Sequence, residues 1–289
     1  MLNALTIDVE DFFQVSAYEK IVSFDNWEQY GDRVVNSTEK ILQLLSEKHL
    51  QATFFIVGWT AERFPDLVRK ISEAGHEIGV HSYRHRLIYN LSPEEFRSDI
   101  VQCRDILETI TGVRPACFRA PSFSITEKSL WALDILAEEG FQYDSSIYPI
   151  YHDRYGIPDA NPKIHLLRQA SGDIWEFPPA VYRMAGYNFP VSGGGYFRLY
   201  PYWLSAYFLK KINNRLQRPF VIYVHPWEFD PEQPRIPGLS AAASFRHHVG
   251  IKRNFSKLKR LLSDFSMTSL SKTIEQWRSM NPPNAGEAP

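Results

Sequence analysis

His81 and His85 stand four residues apart in Gly-Val-His-Ser-Tyr-Arg-His, just past the apolar run that ends in Val80. Two imidazoles so spaced can reach one cation, although the spacing by itself describes packed or solvated histidines equally well. A second cluster, Asp8-Val9-Glu10-Asp11, closes another apolar run. Two imidazoles and one carboxylate leave coordination positions open to water, which is the ligand set of a hydrolytic Zn²⁺ or a similar divalent ion. Arg119 ends a third run. Paired with it, a buried Asp8 stays ionised and able to accept a proton. His225 ends Phe-Val-Ile-Tyr-Val-His and is a candidate general acid, against the plainer alternative of a histidine satisfied by a backbone carbonyl.

The elements that must position these groups alternate between strand-like and helix-like, the pattern of a parallel sheet with crossover helices. The predicted strands are Ala4–Asp8, Ala52–Val57, Glu77–His81, Cys117–Arg119, Phe141–Ser145, Ile174–Phe177 and Phe220–His225. Seven strands in series predict a barrel, and Asp8, His81, Arg119, Asp144 and His225 then fall at strand ends on one face, where such barrels build their active sites. Helices are predicted over Asn36–His49, with Asn36 and Glu39 as a capping box, over Pro65–Ala74 before Gly75, and over Thr126–Glu139 before Gly140. Ser92-Pro93-Glu94-Glu95 starts another that runs to about Thr111. Ser192-Gly193-Gly194-Gly195 marks a tight loop before an aromatic stretch that turns helical near Pro201, and amphipathic helices follow at Phe255–Phe265 and Ser269–Met280.

Composition excludes some classes of partner. Thirty-two basic against thirty-three acidic side chains leave a net charge of −1, with no basic stripe to neutralise a nucleic-acid backbone. No run of about 18 apolar residues predicts a transmembrane segment, and the start of the sequence lacks signal-peptide character, so the expected location is cytoplasmic. Cys103 and Cys117 lack metal-type spacing and read as reduced, buried thiols.

With these residues assembled, the chain resembles the polysaccharide deacetylase family, the family 4 carbohydrate esterases that share the NodB homology domain. Within it the chain is most similar to the branch found beside bacterial exopolysaccharide and exosortase gene clusters. The motifs run in order: Thr6-Ile7-Asp8-Val9-Glu10-Asp11 for T-F-D-D, His81-Ser82-Tyr83-Arg84-His85 for H-[ST]-x-x-H, Arg119-Ala120-Pro121 for R-x-P, Tyr143-Asp144-Ser145-Ser146 loosely for the fourth motif and Tyr223-Val224-His225 for L-x-H. The stretch from His225-Pro226-Trp227-Glu228 through Arg246-His247-His248 to Leu261-Leu262 is similar to that branch's C-terminal extension. The resemblance implies an α/β fold, a distorted (β/α)7 barrel of the NodB type with a C-terminal helical extension: residues 1–229 as the barrel, 230–280 as the extension packed on it and 281–289 as a disordered tail.

It also implies metal-dependent removal of N-acetyl groups from an amino sugar in an exopolysaccharide or its precursor. Asp8 would be the base, Arg119 its orienting partner and His225 the acid, with Asp144 or Glu176 orienting the His225 ring. His81, His85 and either Glu10 or Asp11 would hold the metal, with Zn²⁺ first and Co²⁺ or Mn²⁺ as substitutes. The family's Asp-Asp is here Asp-Val-Glu-Asp, which keeps both acidic ligands in play, and Tyr223 stands where the family has leucine. Pro121, Ser122, Asp144 and Trp227 are the expected substrate-binding positions, with Ser122 N–H at the oxyanion. Trp227, Tyr196, Phe197, Trp203 and Phe123 are the aromatic candidates for sugar stacking. Rival readings are a C–N hydrolase of a small non-sugar amide and a non-catalytic carbohydrate-binding protein.

Overall fold

The structure is a computed structural model and describes residues 1–281; from residue 282 onward the expected 281–289 tail lies outside the described residues. In chain order the elements are β1 (Asn3–Val9), α1 (Arg33–Glu47), β2 (Thr53–Ile56), α2 (Gly58–Arg63), α3 (Pro65–Glu73), β3 (Glu77–Val80), α4 (Pro93–Thr111), β4 (Cys117–Phe118), α5 (Trp131–Glu138) and β5 (Tyr143–Asp144). There follow β6 (His165–Gln169), β7 (Gly172–Glu176), β8 (Val181–Met184), β9 (Tyr187–Pro190), α6 (Gly194–Leu199), α7 (Tyr202–Asn214), β10 (Val221–Val224), α8 (Ala241–His248), α9 (Ile251–Asp264), β11 (Met267–Thr268) and α10 (Leu270–Met280).

Parallel pairing runs β10-β1-β2-β3-β4-β5-β7, and this path is the wall of a distorted (β/α)7 barrel. Sequence periodicity anticipated each of these strands within a few residues, because their apolar runs are buried on both sides. It missed β6, which pairs antiparallel with β7, and the separate β8–β9 hairpin. Both carry half-exposed strands, such as Tyr187–Pro190 and His165–Gln169, whose short mixed patterns resemble loop. No ladder joins β7 to β10 among the described residues; instead Gly193 bridges Tyr223 in parallel. A Cβ on Gly193 would lie 2.0 Å from the Tyr223 carbonyl oxygen, so the glycine loop does more than turn the chain. It brings backbone directly against β10.

The start of α1 corrects the expected capping box. Asn36 lies inside the helix, which begins at Arg33 behind Asp32, because the buried Asp11 carboxylate accepts the Val34 N–H at 2.9 Å from another element. That tertiary cap moves the boundary one turn toward the N-terminus. By contrast, α4 follows its local signals: Ser92 and Glu95 close a reciprocal capping box, and Gly112 ends the helix at φ 72°.

The end of the barrel opposite the charged face is plugged by α10. Leu270 and Ile274 pack with Ala4, Cys117 and Val221, while the Leu270 and Ser271 N–H groups donate to Thr53 Oγ1 and Glu77 Oε2 at the starts of β2 and β3. β11 extends this seal by pairing with Asn3–Ala4. Cys103 and Cys117 are buried and free. No helix among the described residues is long and apolar enough to cross a membrane.

Gly79 is the register partner of Phe55 on the neighbouring strand, and a Cβ there would meet the ring at 2.5 Å. Gly79→Ala is therefore expected to lower unfolding free energy by about 1–3 kcal/mol, the usual cost of overpacking a core. Urea denaturation checks it, and an unchanged midpoint would show that Phe55 moves aside freely.

Candidate active site

The carboxyl ends of β1, β3, β4 and β10 deliver Asp8, His81, Arg119 and His225 to one end of the barrel. Asp8 is buried, and its Oδ1 accepts from Arg119 Nη1 at 2.8 Å. Arg119 has 0% exposure, so each of its nitrogens needs a partner. Nε donates to the Ser145 carbonyl at 3.0 Å, Nη1 also to Thr6 Oγ1 at 2.6 Å and Nη2 to Ser145 Oγ at 2.7 Å, with the guanidinium 4.4 Å above the Phe55 ring. A fully bonded cation of this kind fixes Asp8 in place.

Glu10, His81 and His85 form the only cluster of three potential metal ligands among the described residues, their ligand atoms all within 4.8 Å of one another. The His81 Nδ1 hydrogen-bonds the Arg119 carbonyl at 2.8 Å, which leaves Nε2 for a ligand. Burial pushes the His81 imidazole down to about 4, so the ring is neutral at neutral pH, as ligation requires. Glu10 Oε2 lies 2.6 Å from His85 Nε2 but makes no hydrogen bond, and His85 Nδ1 is also buried without one. A carboxylate oxygen left in this state beside two imidazoles suits a shared divalent cation. Burial alone would raise the Glu10 pKa, but the facing His85 and His225 hold it below the usual carboxylate range.

Asp11 is not brought to this cluster. Its oxygens accept the N–H groups of Phe12 at 2.8 Å and Val34 at 2.9 Å, so the second acidic candidate is an α1 cap. Burial raises its pKa to about 6.

His225 Nε2 lies 3.5 Å from Glu10 Oε1 and 3.7 Å from Asp8 Oδ2. Burial pushes this imidazole down, yet the carboxylates of Glu228, Glu10 and Asp8 outweigh it and hold its pKa at about 9. The carboxylate behind the ring is Glu228, whose Oε1 sits 3.4 Å from Nδ1 and accepts from Arg198 Nε at 2.9 Å, while Oε2 accepts the His225 N–H at 3.1 Å. Asp144 and Glu176, the residues expected behind His225, do not contact it. They face each other in register across β5 and β7, wholly buried, with Ser146 Oγ and the Ile147 N–H as their donors. Burial raises both pKa values, and the Asp144 charge raises Glu176 further, so the pair retains a proton. Glu228 was signalled in the sequence by its place three residues after His225, behind Pro226, the spacing of a cap.

The expected substrate contacts are sorted by the cavity beside these groups, which has a volume of about 440 Å³. Ser122, Phe123 and Tyr196 line it. Asp144 and Pro121 do not; the former is enclosed between strands, and the latter is buried behind the turn at Ser122. Trp227 reaches the cavity edge but is no open stacking platform, because its ring lies 4.4 Å from His247 at 7° and 5.4 Å from His225 at 24°. Its Nε1 donates to Glu10 Oε1 at 3.2 Å, so it braces the cluster. Phe197 is core, and Trp203 is exposed on α7 away from the cavity.

Among the described residues, four of the seven non-glycine positions with positive φ are Ser82, His85, Ser122 and Phe123. Such conformations cost about 1–3 kcal/mol each and persist where surroundings hold them. Asp99 on α4 supplies part of that hold, accepting the N–H groups of Tyr83 at 2.8 Å and Arg84 at 3.3 Å.

Residues 20–143 match the family model described as "Polysaccharide deacetylase", and residues 145–275 match one described as "Domain of unknown function (DUF3473)". A peptidoglycan-N-acetylglucosamine deacetylase of Bacillus cereus is 38% identical over 98 residues, 34% of this chain and 36% of the relative. A peptidoglycan deacetylase of Helicobacter pylori is 30% identical over 158 residues, 50% of this chain and 52% of the relative. The chain thus spans about a third to a half of the length of these curated relatives. A solved structure from Mycobacterium smegmatis, described as a polysaccharide deacetylase, superposes with a TM-score of 0.62 at 21% identity, covering 100% of this chain and 94% of that one, a likeness of fold.

Arg119→Met removes the guanidinium that bonds the buried Asp8 Oδ1, leaving only His225 at 3.7 Å, and is expected to cost about 3–5 kcal/mol of stability. Adding Asp8→Asn should recover part of that loss in urea denaturation. Equal stability of the single variant and the unaltered protein would mean that the ion pair does not organise this end of the barrel.

Proposed function

We propose that this chain, which belongs to the polysaccharide deacetylase family, hydrolyses the N-acetyl group of an amino sugar with the help of a divalent metal, Zn²⁺ first and Co²⁺ or Mn²⁺ as substitutes. The observation that carries the reading is the convergence of Glu10, His81 and His85 within 4.8 Å, with Asp8 and His225 beside them. Those three residues would hold the metal, which supplies Lewis acidity toward a carbonyl oxygen and lowers the pKa of water. The remaining chemistry belongs to the side chains. Asp8, kept ionised and oriented by Arg119, accepts a proton from the attacking water as its oxygen adds to the amide carbonyl carbon.

The C–N bond then breaks, and acetate and a free amine result. His225, held protonated by the surrounding carboxylates and oriented by Glu228, donates to the departing nitrogen. The backbone N–H of Ser122, in a turn held at φ 51°, would donate to the developing oxyanion. A cavity of about 440 Å³ has the volume of a site for a sugar-sized group. An exopolysaccharide or its precursor is the substrate this reading favours.

Acetate release from N-acetylated oligosaccharides tests it. Release is expected to stop on chelation and to return with Zn²⁺, Co²⁺ or Mn²⁺. Asp8→Asn and His225→Gln should each lower kcat by about 10²–10⁴-fold. Near-normal turnover in either variant sinks the assignment of roles, and glycan binding without acetate release under any metal sinks the hydrolytic reading itself.

A further inference from the structure

Of the groups assigned to catalysis and metal binding, Glu10 and His225 line the cavity, at its more buried end. Its acidic side chains are already engaged, Glu10 with His85 and Trp227, and Glu228 with Arg198 and His225. Farther out, the lining includes His152, Arg154 and Arg246. Arg154 and Arg246 are exposed, and neither has a carboxylate within salt-bridge distance among the described residues. They come from distant parts of the chain, Arg154 from the loop between β5 and β6 and Arg246 from α8, yet both act on the same imidazole: they push the His152 pKa down, behind the larger effect of burial. The acid beside them, Asp153, meets His152 at 2.9 Å and has a largely exposed side chain.

A second cavity, of about 480 Å³, shares the wall formed by Tyr89, His152, Arg154 and Tyr155, and its own lining adds Lys128 and the acids Glu127 and Asp153, neither of which pairs with Arg154. Arg154 therefore stands where two adjoining hollows meet. A guanidinium without an acidic partner in such a place is suited to a planar or tetrahedral anion, which it can grip with paired N–H donors.

We infer that the substrate is anionic: the acetylated glycan carries a carboxylate or phosphate group that Arg154 and Arg246 receive while the acetamido group lies at the inner end. This rests on the deacetylase reading for the inner end only. The charge assignment comes from the outer lining.

Calorimetric titration separates the two. The zinc-loaded protein is titrated with a hyaluronan tetrasaccharide (uronate arm), with N-acetylglucosamine 1-phosphate (phosphate arm) and with neutral ligands of matching size, chitin tetrasaccharide and N-acetylglucosamine. At low salt at least one anionic ligand is expected to bind about tenfold or more tightly than its neutral match, the scale of one charge-assisted hydrogen bond. The preference should shrink as salt rises. In Arg154→Gln with Arg246→Gln the ratio should fall toward one, and Arg154→Glu with Arg246→Glu should invert it, with circular dichroism confirming that these exposed positions leave the fold intact. Whichever arm shows the preference identifies the anion. Equal binding of charged and neutral ligands, no binding by any of them, or a preference indifferent to both arginines overturns the inference. Anion-selective binding without acetate release would leave it standing and remove the hydrolytic reading.

Discussion

The buried ion pair between Asp8 and Arg119 is the interaction on which this end of the barrel depends. A guanidinium with no exposure is tolerable only if its donors are met, and here they are met by Thr6, Asp8 and Ser145. Those partners belong to β1 and to the segment after β5, while Arg119 itself follows β4. One side chain thus ties together three parts of the wall, β1 being separated from β4 and β5 by β2 and β3. The Arg119 carbonyl adds a fourth by fixing the tautomer of His81. Asp8 and the ligand cluster are consequently placed by the same residue.

Around that pair the fold spends conformational strain where function would need it. Ser82, His85, Ser122 and Phe123 sit in a region that side chains disfavour, and they lie in the two loops that approach Glu10 and the cavity. The H-S-x-x-H loop is held from both sides. Asp99 receives its N–H groups, and its Ser82 and Tyr83 carbonyls accept from Gly58 and Trp59 at the start of α2. The loop after Arg119 is held by Ser146, whose hydroxyl accepts the Ala120 N–H and donates to Asp144. The protonated Asp144–Glu176 pair is thus part of the scaffold behind the loop, one step removed from the cavity.

Electrostatics divide the cavity into two zones. The inner zone is rich in carboxylates, and they raise the His225 pKa and are themselves matched by histidine and arginine. The outer zone carries the two arginines without acidic partners. Neither zone is visible as a charge run, since the net charge of the chain is −1 and the contributors are scattered from Glu10 to Arg246.

Residue order by itself determined the alternation of strands and helices, because an apolar run buried on both faces and a capped amphipathic stretch carry their signatures locally, as Ser92 to Gly112 illustrates. It also determined which residue types stand at strand ends, and so that Asp8, His81, Arg119 and His225 would share a face. Choices between near neighbours were left to the tertiary structure. Glu10 and Asp11 are adjacent and chemically alike, and only the path of the chain turns one toward the histidines and the other onto the Val34 N–H. That same contact moved the start of α1, a boundary that local capping could not reveal. The replacement of Asp144 and Glu176 by Glu228 behind His225, and the stacking that closes Trp227 between two histidines, likewise depend on contacts between segments far apart or on side-chain direction. Periodicity reports which face of a strand is buried. What meets that face is decided only when the whole sheet has curled around it.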